Sequence, residues 1–220
     1  MTGQVETVQL APGLTVARVL NGLWQIADSE REGTLDPVTT AQYMAPYVEA
    51  GFTTFDMADH YGSAEVIAGA FRRDHARGGE AQLLTKWVPP PGPVSREGVR
   101  GAVDLALQRL QSERIDLLQF HAWHYPDPSW LDALFYLDEL RQQGLIGQLG
   151  VTNFDTAHLR IALASGIPIV SNQLSYSLVD RRAAGAMTAL CEEFGVKLLA
   201  YGTLAGGLLS ERWVDAPEPS

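Results

Sequence analysis

The segment EAGFTTFDMADHYG, residues 49–62, passes from the end of a predicted helix through a glycine into a short apolar strand that finishes in polar residues. Glycine suits the left-handed backbone just after a helix, so Gly51 marks a helix end and residues 52–57 a strand. The same order recurs in QQGLIGQLG at 142–150, ASGIPIVSNQ at 164–173 and EFGVKLLAYG at 193–202. This repeat predicts a chain of alternating helices and strands.

Seven apolar runs, most of them about thirty residues apart, have the spacing of strand–helix units. They lie near residues 18–23, 52–57, 82–87, 115–121, 146–151, 168–173 and 196–201. Their nearly continuous apolar character is typical of a parallel sheet covered by helices. A doubly wound sheet and a (β/α)8 barrel both fit this pattern. The first twenty residues, with APG between TVQL and TVARVL, predict a hairpin that would cap the bottom of a barrel.

Helix starts and linkers define the expected organisation. Asp36, Ser63, Ser95 and Asp155 each precede a helical pattern and are predicted N-caps. The proline-rich stretch PPPGPV at 89–94 lies between a strand and a helix and is too short to separate domains. We therefore expect one domain over residues 1–220.

Composition and charge limit the classes of partner. The 220 residues are 46% hydrophobic and 19% charged, and the formal net charge is −10. This acidic balance argues against nucleic acid and against an anionic membrane as partners, and favours a small molecule. Cys191 is the only cysteine, which excludes an intrachain disulfide, and its apolar setting predicts a buried thiol. The sequence has no signal-peptide pattern and no membrane-spanning run, so we expect a cytoplasmic location.

Polar residues follow the apolar part of successive predicted strands. In parallel barrels, the carboxyl ends of the strands meet on the face where active sites lie. The residues at these positions are Asp56, Lys86, Trp87, His121, Thr152, Asn153, Asn172, Gln173, Tyr201 and Gly202.

These residue types can deliver a proton to a carbonyl oxygen. A carboxylate at the end of a buried strand needs a partner, and Lys86 is the expected partner of Asp56. An ammonium group beside Tyr61 would stabilise the phenolate that remains after proton donation, so Tyr61 is predicted to act as a general acid. His121 could donate a hydrogen bond to the same oxygen.

Reduction also needs a hydride, which no side chain supplies. The amides of Asn153 and Gln173 could pair with a nicotinamide carboxamide, and the ring of Tyr201 could stack on the nicotinamide. The glycine-rich run YGTLAGGLL at 201–209 follows the seventh strand, where barrels often hold phosphates. No G-x-G-x-x-G follows an early strand, so a Rossmann site is not supported.

The chain resembles the aldo-keto reductases. The segments that carry the resemblance follow the family order: GFTTFDMADHYGSAE at 51–65, LLTKW at 83–87, IDLLQFH at 115–121, GQLGVTNFD at 147–155, SNQLSYS at 171–177 and YGTLAGGLLS at 201–210. The resemblance implies a (β/α)8 TIM barrel that uses NADPH or NADH, without a metal, to reduce aldehyde or ketone carbonyls to alcohols.

The resemblance also implies roles for individual residues. The family's catalytic tetrad falls on Asp56, Tyr61, Lys86 and His121. The implied cofactor-binding residues are Trp24, Asp56, Thr152, Asn153, Gln173, Tyr201, Gly202, Thr203, Leu204 and Gly206. Aromatic residues in the strand-end loops are expected to line a substrate pocket, namely Trp87, Trp123, His124 and Tyr125.

The end of the chain departs from the family pattern. Family members continue past the loop after GGLLS into an eighth strand and a segment that grips the adenosine ribose. We therefore expect a barrel truncated after its seventh strand that binds dinucleotide weakly or not at all. We also expect exposed barrel edges, which self-association or a partner chain could cover.

Three other functions remain open from the sequence. A regulatory or binding protein on the same fold could carry an intact tetrad, and a truncated remnant could lack activity. A metal-dependent hydrolase is the third, because His60, His121 and His124 lie near the predicted site. Lys86 in the same pocket disfavours a metal cation.

Overall fold

Seven parallel strands form one sheet whose order follows the sequence. The computed structural model describes residues 5–28, 35–123 and 125–215. The strands are β3 (Asn21–Gly22), β4 (Thr54–Asp56), β5 (Gln82–Trp87), β6 (Ile115–Phe120), β7 (Ile146–Thr152), β8 (Ile169–Ser175) and β9 (Lys197–Tyr201). A doubly wound sheet would reverse its strand order, whereas this sheet runs from β3 to β9 without reversal.

The sheet is curled like a barrel wall. The side chain of Asp56 on β4 accepts a hydrogen bond of 2.9 Å from Gln173 on β8, four strands away. Adjacent strands lie about 4.8 Å apart, so a flat sheet would hold these two residues far beyond hydrogen-bond distance. The prediction of seven strands in an incomplete (β/α)8 barrel is confirmed.

Helices cover the outside of this wall. Within the described residues they are α1 (Pro37–Ala41), α2 (Ala45–Glu49), α3 (Ala64–Asp74), α4 (Arg96–Leu110), α5 (Ser129–Gln142), α6 (Thr156–Ala164) and α7 (Ala186–Phe194). Short 3-10 segments in the described ranges lie at Gln42–Met44, Gly78–Glu80, Ala205–Gly207 and Glu211–Trp213. None of the helices in the described part of the chain is long and apolar enough to cross a membrane.

The helix boundaries follow local chemistry. The side chains of Asp36, Ser95 and Asp155 accept hydrogen bonds from backbone N–H groups in the first turns of α1, α4 and α6, as predicted. Ser63 precedes α3 but makes no such side-chain bond; its backbone N–H donates to Asp28 instead. Four glycines have the positive φ that ends a helix, as the repeat predicted, and these are Gly51, Gly144, Gly166 and Gly195.

A hairpin closes the amino-terminal end of the wall. Strand β1 (Thr7–Ala11) pairs antiparallel with β2 (Leu14–Ala17), which confirms the predicted hairpin. Its side chains Leu10, Leu14 and Val16 pack against three inward-facing leucines of the wall, Leu84, Leu117 and Leu199. Thr54 and Gln82, the first residues of β4 and β5, hydrogen-bond the hairpin backbone.

The wall's interior therefore has two layers. Residues of one strand face opposite sides alternately, so Leu84 and Lys86 both point inward, as do Leu117 and Gln119. The leucines form the apolar layer beside the hairpin, and Lys86 and Gln119 belong to a polar layer nearer the carboxyl ends. The larger apolar core lies between the outer face of the sheet and the helices. That residues 1–220 form a single domain stays a prediction.

Candidate active site

A buried ion pair lies at the centre of the polar layer. The Lys86 ammonium on β5 donates to Asp56 Oδ2 on β4 over 2.6 Å and to the Met57 carbonyl over 2.9 Å. The Lys86 side chain is 1% exposed. Asp56 Oδ1 accepts from the amides of Gln119 and Gln173, each at 2.9 Å. Both carboxylate oxygens are thus satisfied, which offsets the cost of burying the charge.

A glycine makes room for these amides. A Cβ at Gly150 on β7 would lie 2.4 Å from Ser171 Oγ and 3.2 Å from Gln119 Cγ. A side chain there would clash with Ser171 and crowd Gln119. Gly150 therefore leaves the space that Ser171 and Gln119 occupy inside the wall.

Tyr61 lies on the loop between β4 and α3, beside the ion pair. The Lys86 ammonium is 4.9 Å from the centre of the Tyr61 ring. The ring also meets Trp24 edge to face, with centroids 4.6 Å apart. The Tyr61 N–H donates to the Ala58 carbonyl, and its carbonyl accepts from Ala64 at the start of α3. These contacts hold the phenol at the carboxyl ends of the strands.

His121 is neutral in this site. It follows β6, and its backbone N–H donates to the Trp87 carbonyl. Burial, with smaller contributions from His60 and Lys86, lowers the pKa of His121 from 6.5 to about 4. Its Nε2 accepts a hydrogen bond of 3.1 Å from Trp123 Nε1, and its Nδ1 is buried without a described partner. The ring proton therefore resides on Nδ1 in this arrangement.

One cavity of about 520 Å³ brings the predicted residues together. Its lining includes the four predicted catalytic residues and six of the predicted cofactor residues besides Asp56. These are Asp56, Tyr61, Lys86, His121, Trp24, Thr152, Asn153, Gln173, Tyr201 and Gly202. A larger cavity of about 640 Å³ lies beside α1 and α2 and is lined by none of these residues.

The remaining predicted cofactor residues lie just outside the cavity lining. Thr203, Leu204 and Gly206 are exposed on the turn that follows β9. Gly202 and Gly206 have φ values of 63° and 66°, which glycine adopts without strain. The turn thus begins at the cavity, through Gly202, and continues along the surface.

The lining offers groups that fit a nicotinamide. Thr152 Oγ1 is buried without a described hydrogen-bond partner. Gln173 uses its Nε2 on Asp56 and Gln119, which leaves Oε1 as the atom suited to a carboxamide N–H. The Tyr201 hydroxyl donates to Asn153 Oδ1 over 3.0 Å, while 43% of Tyr201 remains exposed for stacking.

The four aromatic residues predicted for the substrate pocket are in different places. Trp123 lines a second cavity of about 520 Å³, together with His60, Pro89, Pro90, Pro91 and Trp130. Trp87 is 7% exposed and packs in the outer core, because Lys86 before it on β5 points inward. Tyr125 stacks on His158 and packs against Trp130 and Phe154. Neither ring is in the lining of the two cavities, and His124 lies outside the described residues.

Two glutamines of the site were not predicted. Gln119 is fully buried in β6 and holds Asp56. A glutamine inside an apolar strand, two residues before His121 and on the same face, was the available signal. Gln25 lines the first cavity next to Trp24. Its position depends on the conformation of the loop after β3, and no sequence pattern indicated it.

Two histidine rings lie near each other beside the cavity. The rings of His60 and His121 have centroids 6.0 Å apart. In the parts of the chain that the structure describes, no three His, Cys, Asp or Glu side chains are placed to hold one metal ion.

The model of the aldo/keto reductase family matches residues 18–220 of the sequence. The chain belongs to this family. Among curated aldo/keto reductase relatives, the protein YhdN of Bacillus subtilis is 27% identical, over 92% of this chain and 63% of its own length. The human aflatoxin B1 aldehyde reductase member 4 is 29% identical, over 81% of this chain and 56% of its own. The chain thus spans less than two thirds of the length of these two relatives.

Solved structures of aldo/keto reductases share the fold. The thermostable aldo-keto reductase Tm1743, in complex with epalrestat, is 27% identical and aligns with a TM-score of 0.82 over 94% of this chain and 76% of its own. The holo form of AKR11C1 from Bacillus halodurans is 28% identical and aligns with a TM-score of 0.79 over 99% and 71%. Both cover nearly all of this aldo/keto reductase chain.

Proposed function

We propose that this aldo/keto reductase reduces aldehyde or ketone carbonyls to alcohols with NADPH or NADH, and that Tyr61 is its general acid. The observation that carries the proposal is the single cavity that Tyr61, Lys86 and His121 share with Thr152, Asn153, Gln173 and Tyr201. It combines a proton donor, a cation beside it and groups that fit a nicotinamide. The Escherichia coli relative named NADH-specific methylglyoxal reductase, 26% identical, supports the same class of reaction.

The chain's own residues would handle the proton. When bound, the dihydronicotinamide supplies the hydride that reaches the carbonyl carbon. As the carbonyl oxygen gains charge, Tyr61 transfers its hydroxyl proton to that oxygen, and the product leaves as an alcohol. Lys86, held by Asp56, stabilises the phenolate that remains until solvent returns a proton.

His121 would position the carbonyl oxygen. A neutral imidazole has one N–H, and in this structure the Nε2 lone pair accepts from Trp123. To donate to a substrate through Nε2, His121 has to change tautomer, and the indole of Trp123 has to release that nitrogen. The role of His121 is therefore coupled to Trp123.

Cofactor and substrate would occupy adjoining spaces. We assign Thr152, Asn153, Gln173 and Tyr201 to the nicotinamide, and the turn from Gly202 through Gly206 to the phosphates. The second cavity shares His60 with the first and is lined by four prolines and two tryptophans, so it suits the apolar part of a carbonyl substrate. The cytoplasmic location, and the covering of the free edges of β3 and β9 by a second copy or a partner chain, stay predictions.

The test is steady-state oxidation of NADPH and NADH with a panel of aldehydes and ketones. Tyr61→Phe keeps the ring but removes the hydroxyl group that donates the proton, and we expect kcat to fall by about 10²-fold or more. Tyr43→Phe is the matched control, because Tyr43 is a surface tyrosine, 66% exposed, outside this cavity. Wild-type turnover by Tyr61→Phe would contradict the proposal, and cofactor binding without turnover in the wild type would favour a regulatory protein.

A further inference from the structure

We propose that Glu65 and Arg109 form a brace that positions Tyr61 for proton transfer. The inference rests on the proposed function, because it assigns a purpose to the placement of the phenol. The brace is defined as these two side chains with their contacts to Thr85 and to the Asp59 carbonyl. Neither residue lines the cavity that holds the tetrad.

Glu65 is a buried carboxylate in the first turn of α3, and it is 1% exposed. One oxygen accepts from Thr85 Oγ1 over 2.6 Å, and the other accepts from Arg109 Nη1 over 3.2 Å. Burial raises the pKa of Glu65, while Thr85 and Arg109 oppose that rise. Thr85 immediately precedes Lys86 on β5, so Glu65 is fixed to the strand that carries the catalytic cation.

Arg109 joins this carboxylate to the loop that carries Tyr61. It lies in the last turn of α4, and the same Nη1 that contacts Glu65 also donates to the Asp59 carbonyl over 3.3 Å. Asp59 is two residues before Tyr61. A single guanidinium group thus connects α4, α3 and the loop 57–62.

The opposite side of the loop is tied to β5. The Asp59 N–H donates to the Lys86 carbonyl over 2.9 Å, and Asp59 Oδ2 accepts from the Val88 N–H over 3.2 Å. These bonds fix the distance between the loop and the carboxyl end of β5. The contact from Arg109 comes from the helix layer and limits rotation of the Asp59 peptide, which sets the direction in which Tyr61 leaves the backbone.

Close helix packing fixes the backbone of Arg109 relative to α3. A Cβ at Gly69 on α3 would lie 2.0 Å from the Arg109 carbonyl oxygen, so the two helix backbones are in direct contact at this point. Glu65 is one turn before Gly69 on the same helix. Backbone packing therefore sets the distance between the two helices at the brace, and the guanidinium spans that distance through its hydrogen bonds to Glu65 and to the Asp59 carbonyl.

The electrostatics also favour a positioning role. Glu65 is buried but the Arg109 side chain is 34% exposed, so solvent screens part of this ion pair and its net contribution to stability is small. What this pair adds is direction, because Glu65 orients the guanidinium so that one N–H meets the Asp59 carbonyl. The proton donor can lose much of its efficiency when it is displaced by about 1 Å.

The experiment compares the double variant Glu65→Gln with Arg109→Leu, which leaves no unpaired buried charge, with the wild type. The matched control is Arg100→Leu with Asp104→Asn, a surface pair on the same helix. Amide hydrogen exchange of peptides covering 57–62 is measured with a reference peptide from α6. We expect exchange in 57–62 to rise about tenfold in the brace variant and to stay unchanged in the control.

The same variants are examined kinetically. We expect kcat in the brace variant to fall at least about tenfold, with a larger isotope effect from deuterated NADPH and an NADPH Kd within about twofold of wild type. Arg109→Lys, which keeps the charge, is expected to recover most of the loss. If the double variant does not fold, Arg109→Met alone is compared, because it removes the donors to Glu65 and to the Asp59 carbonyl, and a rise in exchange is again expected.

If peptides covering 57–62 exchange at the wild-type rate in the folded double variant, the brace is overturned. Where only Arg109→Met folds, wild-type exchange in that variant overturns it equally. A loss of NADPH affinity equal to the loss of kcat also overturns it, because the effect would then be general. A wild type that does not reduce any carbonyl overturns the proposed function alone, since the exchange comparison still decides whether Glu65 and Arg109 order the loop.

Discussion

Removing either member of the Asp56–Lys86 pair should destabilise the protein, but by different amounts. In Lys86→Met the carboxylate keeps the amides of Gln119 and Gln173, and its side chain is 14% exposed to the cavity. In Asp56→Asn the ammonium, 1% exposed, keeps only the Met57 carbonyl among its described partners. The asparagine amide also has to face either the Lys86 ammonium or the two glutamine amides, and both are donors.

The magnitudes follow from these partners. Lys86→Met leaves one carboxylate oxygen to the cavity, which corresponds to a loss of about 1–3 kcal/mol in the free energy of unfolding. Asp56→Asn leaves a buried charge without its counter-ion, which corresponds to about 3–5 kcal/mol. In the double variant the charge itself is gone, so we expect it to be more stable than Asp56→Asn alone.

Urea unfolding of the three variants, followed by circular dichroism, measures these differences. Asp104→Asn is the control, because it breaks a surface pair that is half exposed and should not change stability measurably. Equal losses of stability in Lys86→Met and Asp56→Asn, or a loss in the double variant equal to the sum of the two single losses, would contradict these partner assignments.

Two further predictions concern acid stability and helix packing. Burial lowers the pKa of His121 from 6.5 to about 4 in the fold, so the unfolded chain binds more protons between these values and stability should fall as the pH drops through them. Because the ring is only partly buried, solvent screens part of the effect, and we expect a fall of about 1–2 kcal/mol. Urea titrations at pH 7 and pH 4.5 should show a smaller fall for His121→Asn, and an equal fall would contradict the assignment. Gly69→Ala puts a methyl group 2.0 Å from a backbone oxygen and should cost about 1–3 kcal/mol or more. Gly101→Ala in α4 meets no atom within 4 Å and should instead stabilise by up to about 1 kcal/mol, so equal melting temperatures for the two variants would contradict this account.

Most of the fold could be predicted from the sequence because its signals are local. Gly51, Gly144, Gly166 and Gly195 end helices through their own backbone conformation, and each is followed by a strand. The site also followed from a general rule, since carboxyl ends of parallel strands converge whatever the rest of the sequence is. That rule is sufficient to bring Asp56, Lys86 and His121 to one cavity.

What the sequence did not predict depends on direction and on distant contacts. Trp87 lies beside Lys86 in the chain, but neighbours on a strand face opposite sides, so it packs under the helices. Tyr125 is held by Trp130, Phe154 and His158, which come from two later helices and the loop between β7 and α6. Gln119 contacts Asp56 across 63 residues of sequence, and only the curl of the sheet joins them.

The hairpin lies at the amino-terminal end of the wall, so residues that contribute to stability there are distant from the candidate active site. The apolar side chains of Leu10, Leu14 and Val16 close the amino-terminal end of the barrel. The groups proposed to react lie at the carboxyl-terminal end, on the other side of the leucine layer. Directed evolution can therefore repack that seal to gain heat tolerance without altering turnover. A screen that selects new substrates should leave the seal untouched and diversify the opposite rim.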